Sequence, residues 1–260
     1  MTAAVACRVW WAGSGDHRPE LDALLGPAEA VRRERYARAA DRRRFSVSAA
    51  LLRLAVAREL GCAARDVPVV RECPDCALPH GRPRIEGQGP LHVSVSYAGE
   101  AVAVAVSRGA VVGLDAEAGP DAAEAPSGGP PTRRRLALER ALRPEERAEV
   151  GAAPEEARPG MLVRWWTYKE AVLKATGDGL RVPPTDIGVS RRTGGARLTA
   201  YPGRPELLGD GTVLRDVGTP AGWLSPAAVA SVAFLVDRGT RVDHVRGEDG
   251  RVLLGAAVHP

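Results

Sequence analysis

Apolar and polar residues alternate with period two through LHVSVSYAGEAVAVAVSRGAVVGLDAE, residues 91–117. That is the signature of half-buried strands. Turn signals at Ala98–Glu100 and Arg108–Gly109 divide the run into strands over 91–97, 101–107 and 111–117, predicting a meander. A further short strand is predicted over Val5–Trp11. Between them the period changes. Phe45, Ala49, Leu52, Val56 and Leu60 recur at helical spacing, predicting a helix over 41–60 that stops at Gly61. Arg42, Arg43, Arg53 and Arg58 then fall on its other face. Pro27 opens a shorter helix to about Tyr36. Residues 71–90, rich in Cys, Pro and Gly, read as loop, and AGPDAAEAPSGGPPT (118–132) reads as a linker. Helices are predicted over about 134–150 and 161–176, and weaker strands near 186–190, 196–201 and 231–237. Both halves mix helices with strands, so the fold class is α+β.

Composition narrows the picture. The 260 residues, 45% hydrophobic, can bury a core and fit one large domain or two small ones. No apolar run is long enough to span a bilayer. The N-terminus MTAAVACRVWWAG lacks a basic start followed by a long apolar stretch, so no signal peptide is read. Four Cys are too few for a disulfide scaffold. A soluble cytoplasmic protein is expected. Net charge is +4 but uneven. Residues 31–71 hold eleven Arg against four acids, while 113–131 hold four acids and no base. A basic region and an acidic one on one chain suit an anionic ligand and a metal, with a solvated helix face as the plain alternative for the basic stretch. Of 36 basic residues only two are Lys, Lys169 and Lys174. Arg replaces Lys freely where chemistry is indifferent, so the close pair marks a place where an ammonium is wanted.

Two motifs carry candidate chemistry. Asp115 and Glu117, two apart at a strand end, put both carboxylates on one face. That is half of a Mg²⁺ site, or simply an exposed acid pair. In WWTYKEAVLKATGDGL (165–180), Glu170 and Lys174 are i and i+4 on one helix face, which also describes an ordinary surface ion pair. Trp165 and Trp166 read as core packing. The 133–135 Arg run reads as a solvated helix start. Cys73 and Cys76, with His80 following, have the spacing of half a zinc site, but a bare pair in a loop reads as two thiols.

VGLDAE (112–117) and WTYKEAVLKATGDGL (166–180) closely resemble the two signature motifs of 4′-phosphopantetheinyl transferases of the surfactin-synthetase-activating class, and the spacing between them also matches. The resemblance extends from about Pro27 to Asp237. It implies an α+β fold of two similar α/β halves forming an intramolecular pseudo-dimer. Residues 1–110 would form the half that binds the coenzyme A nucleotide, 111–240 the half with the acidic motif, and 241–260 a tail. It implies transfer of the phosphopantetheine arm of coenzyme A to a serine of an apo acyl or peptidyl carrier protein, releasing adenosine 3′,5′-bisphosphate. By motif position Asp115, Glu117 and Glu170 are the implied Mg²⁺ ligands. Glu170 is also the implied base, and Lys174 the residue on the phosphates. In the first half, Arg44 in DRRRF (41–45), Arg32 upstream, Arg82 in GRP (81–83) and Ser96 in SVSY (94–97) match coenzyme-binding positions. Tyr97 stands where the family has His, so a neutral phenol replaces a cationic group. A monomer that binds neither nucleic acid nor membrane is expected. A Mg²⁺-dependent nuclease and a non-catalytic coenzyme A or carrier-binding module are the competing readings.

Overall fold

The computed structural model describes residues 4–73, 75–76, 78, 81–119, 132–220, 228–237 and 239–258. The chain opens with β1 (Ala4–Gly13), then α1 (Pro19–Asp22), α2 (Pro27–Glu34) and the long α3 (Ala39–Leu60). The short β2 (Val69–Arg71) and β3 (Pro83–Ile85) precede β4 (Leu91–Ala98), β5 (Ala101–Arg108) and β6 (Val111–Glu117). Helices α4 (Arg133–Arg140), α5 (Pro144–Ala152) and α6 (Arg158–Thr176) follow. Then come β7 (Gly188–Arg192), β8 (Gly195–Ala200), β9 (Thr212–Val217), β10 (Val229–Leu235), β11 (Arg241–Asp249) and α7 (Arg251–Val258). Most of the linker expected over 118–132 lies outside the described residues. Among the described residues, no helix is long and apolar enough to cross a membrane.

The strands form two main sheets, ordered β11-β1-β5-β4 and β6-β10-β9-β8-β7, plus the small β2-β3 pair, of which Arg71 and all of β3 fall in the segment expected to be loop. The meander expectation is therefore half right. β4 and β5 make the hairpin, but β6 leaves to head the second sheet, where it pairs antiparallel with β10. Side chains join the two sheets. The hydroxyls of Ser94 and Ser96 accept hydrogen bonds from the amides of Leu114 and Ala116 at 2.9 and 3.0 Å. They satisfy amides that would otherwise be orphaned in a buried seam.

A strand, a long helix and a last strand returning antiparallel beside the first occur in both sheets: β1, α3 and β5, then β6, α6 and β10. Helix α6 lies against β6 and β10. Gly113 permits this approach, because a Cβ there would sit 2.0 Å from the Ala171 carbonyl oxygen and 2.4 Å from the Ala175 nitrogen. β11 adds to the first sheet in parallel with β1, and α7 packs on α3.

Three local expectations change. The helix expected over 134–150 is broken into α4 and α5, because Pro144 lacks the N–H an unbroken helix needs and instead opens α5. Arg53, placed by periodicity on the polar face of α3, is buried. Its Nε donates to Glu29 at 2.7 Å and its Nη1 to the Val67 carbonyl at 3.0 Å. Helix α3 is covered by the sheet on one side and in part by α2 and the 64–67 turn on the other, so Arg53 is enclosed while Arg43 and Arg58 of the same face stay exposed. Finally, β9 and β11 are strands that the apolar pattern does not signal: TVLRDV is short, and β11 is a polar sheet edge.

Candidate active site

The seam between β4 and β6 and the exposed flank of α6 meet at Asp115. This carboxylate is buried at 4% exposure. Its Oδ1 accepts hydrogen bonds from Lys174 Nζ at 2.6 Å and Ser96 Oγ at 3.0 Å, while its Oδ2 is buried without a partner. Lys174 also donates to Ser96 Oγ at 2.9 Å. Glu170 and Lys174 share one face of α6, as their i, i+4 spacing predicts, and Trp166 one turn earlier falls on that face too. The partner of Lys174, however, is Asp115 across the seam.

Glu117 has both oxygens engaged. Trp166 Nε1 donates to Oε1 at 3.0 Å and Arg134 Nη2 to Oε2 at 2.7 Å. Arg134 is thus no mere solvated helix start, and Trp166 is only partly core. Trp165 is fully buried. Burial raises the Glu117 carboxyl pKa, as does the charge of Asp115, against the lowering effects of Arg134 and Trp166. Glu170 is also raised, first by burial and then by Asp115 and Glu117, with Lys174 opposing. Asp115 thus acts on both other acids, and Glu117 on Glu170. Among the described residues, though, no three His, Cys, Asp or Glu side chains converge tightly enough to hold a metal as they stand. That includes Cys73 and Cys76, whereas His80 lies outside the described residues.

Beside this cluster is a cavity of about 290 Å³ lined by Arg32, Phe45, Arg71, Arg82, Tyr97 and Lys174, with Gly177 and Gly179 at the end of α6. Among the described residues, no acid lines it. Arg32 Nη1, Arg71 Nε and Arg82 Nε are buried without partners. Burial lowers the pKa of Arg71 and of Arg82, and the neighbouring charge of Arg32 adds to the effect at Arg71. Buried cations lacking counter-charges are costly unless an anion joins them. A second cavity of about 600 Å³, lined by Pro27, Val31, Arg35, Tyr36 and Leu78, shares Arg32 with the first.

The sequence-predicted coenzyme contacts divide. Arg32, Arg82, Tyr97 and Lys174 line the cavity. Arg82 also ties the two motifs together, donating to the carbonyls of Ala175 at 2.7 Å and Val112 at 3.4 Å. Tyr97 donates to Ser48 Oγ at 3.0 Å. Arg44 lies outside the cavity lining, 5.4 Å from the Tyr97 ring centroid, and is bonded to Asp41 and the Gly99 carbonyl. Ser96 is spent on the seam and on Asp115. Arg71 was missed altogether. It sits in a segment read as loop and belongs to no motif, so only its charge could have pointed to it.

Residues 111–210, from the start of β6 to just before β9, match the 4′-phosphopantetheinyl transferase superfamily model. The chain is also 30% identical over 165 residues to a Synechocystis sp. protein named as a 4′-phosphopantetheinyl transferase, a match spanning 62% of this chain and 61% of that protein. The superfamily match includes Asp115, Glu117, Glu170 and Lys174, but not the arginines of the first half.

Proposed function

We propose that the protein is a 4′-phosphopantetheinyl transferase of the surfactin-synthetase-activating class. It moves the phosphopantetheine arm of coenzyme A to a serine of an apo acyl or peptidyl carrier protein, with Mg²⁺, as a cytoplasmic monomer. The observation that carries this reading is the adjacency of two sites. A cavity lined by Arg32, Arg71, Arg82 and Lys174, with no acid among the described residues, opens beside a buried carboxylate with one unpartnered oxygen. Coenzyme A offers what the first lacks, a phosphate monoester and a pyrophosphate, and Mg²⁺ offers what the second lacks, a cation. The repeated strand–helix–strand topology supports the pseudo-dimer reading, with the coenzyme between the halves.

The donor set fits Mg²⁺, which takes one or two carboxylates and completes its shell with water and substrate phosphate. Asp115 Oδ2 is unpartnered, and only charge and burial, not hydrogen bonds, act on the Glu170 carboxyl. These two would hold the ion, and Glu117 would join by giving up Arg134. When bound, Mg²⁺ supplies neutralising charge for the pyrophosphate oxygens. The chain does the rest. The arginines bind and orient the phosphates. Glu170 takes the proton of the carrier serine, directly or through a water. The serine oxygen bonds to the phosphorus on the pantetheine side, and the bond to the departing adenosine bisphosphate breaks. Lys174 stabilises the charge that develops there.

Incubation with coenzyme A, Mg²⁺ and a panel of apo carrier proteins, beside a DNA control, tests the reading. A carrier mass gain of one phosphopantetheine supports it. DNA cleavage without carrier modification identifies a nuclease, and coenzyme A binding without transfer identifies a binding module.

A further inference from the structure

Lys169 is one of only two lysines, yet it faces away from the site. Its side chain is fully buried, 2.6 Å from the equally buried Glu146 carboxylate. It also donates to the carbonyls of Ala141 at 2.7 Å and Pro184 at 3.0 Å. An ammonium has three N–H donors, and here three acceptors surround it. The five donors of a guanidinium would leave some unsatisfied, which explains a lysine in a chain that otherwise uses arginine. Glu146 is just as fully engaged. It accepts from the Arg143 amide at 2.8 Å and the Val189 amide at 2.9 Å. One ion pair therefore joins the end of α4, the start of α5, the turn Pro184–Asp186, β7 and α6.

Residue 169 is a single step, about 100° of helix rotation, from Glu170. Fixing Lys169 on one flank fixes where Glu170 and Lys174 point on the other. We propose that Lys169 and Glu146 are a positioning pair, which sets the rotation of α6 so that Lys174 meets Asp115. The pair acts through the helix and touches no ligand. Its consequence for turnover rests on the transferase reading above.

Lys169→Met alone would strand a buried carboxylate and could unfold the chain. The test is therefore the double variant Lys169→Met/Glu146→Gln, which removes both charges and keeps an oxygen for one of the two amides, Arg143 or Val189. Three quantities are measured: kcat and KM for coenzyme A per folded molecule, melting temperature, and the Lys174–Asp115 distance in a crystal structure. The expected result is a cooperatively folded protein with unchanged KM, kcat lower by about 10- to 100-fold, and a Lys174–Asp115 contact out of hydrogen-bond reach. A contact still at the 2.6 Å of the parent overturns the proposal, whatever happens to kcat. So does a lowered melting temperature with wild-type kcat, which would mark a purely structural pair. If the parent protein binds coenzyme A but transfers nothing, the transferase reading fails, and the crystallographic distance alone decides the positioning role.

Discussion

Asp115 and Lys174, 59 positions apart in the chain, meet at 2.6 Å where β6 and α6 cross. The contact leaves the other Asp115 oxygen buried and unpartnered. One carboxylate thus faces a cation from the protein and still has an oxygen for a cation from outside. Among the described residues, every charged side chain lining the cavity beside it is a cation.

The compact ammonium of Lys174 bonds two acceptors, Asp115 and Ser96, in a buried seam. A planar guanidinium keeps the charge but cannot reproduce both bonds in the same space. Lys174→Arg is expected to lower turnover by about tenfold or more, with a much smaller effect on coenzyme A affinity. Steady-state kinetics beside calorimetry check this, and wild-type turnover would refute it.

Arg71 lines the cavity with its Nε buried and unpartnered. Arg71→Gln is expected to weaken coenzyme A binding by about tenfold, the scale of one charge-assisted hydrogen bond, and to leave kcat nearly unchanged. Calorimetry measures the affinity. Unchanged binding would remove Arg71 from the site.

Glu170 binds its proton more tightly folded than unfolded, because burial and two neighbouring carboxylates raise its pKa. The folded state then holds more protons through the window from the ordinary glutamate range up to the raised value, so stability falls as pH rises through it. Glu170→Gln mimics the neutral form. It is expected to melt higher than the parent near pH 7, to lose that advantage below the ordinary glutamate range, and to be inactive at both. Melting curves across pH test this, and equal melting temperatures at pH 7 would count against it.

Gly113 holds open the crossing of β6 and α6, where an added Cβ would meet backbone at 2.0 Å. Gly113→Ala is expected to cost about 1–3 kcal/mol or more by urea unfolding. It should also depress transfer, because the helix it displaces carries Glu170 and Lys174. Unaltered stability would show that the crossing has slack.

Much of this was legible in the sequence. The strand limits of β4, β5 and β6 and the long α3 followed from periodicity, while spacing alone paired Lys174 with Glu170 and only the family resemblance put Asp115 in the same site. What was not legible depended on partners distant in the chain. Nothing local says that β6 leaves its hairpin, since that is decided by its pairing with β10 and by two serine hydroxyls on β4. Arg53 looked solvated because periodicity cannot see a second layer over a helix. Arg134 and Trp166 looked like surface and core because the carboxylate that binds both, Glu117, is far away in sequence. The lysine count pointed to α6 but merged two roles: Lys174 faces the site, while Lys169 is buried behind it.

The most direct test of the central claim is the intact mass of an apo carrier protein after incubation with this protein, coenzyme A and Mg²⁺. The expected result is a gain of one phosphopantetheine on serine, lost when Asp115→Asn replaces the parent protein. An unchanged carrier mass across acyl and peptidyl carriers, with a folded protein that binds coenzyme A, would contradict it.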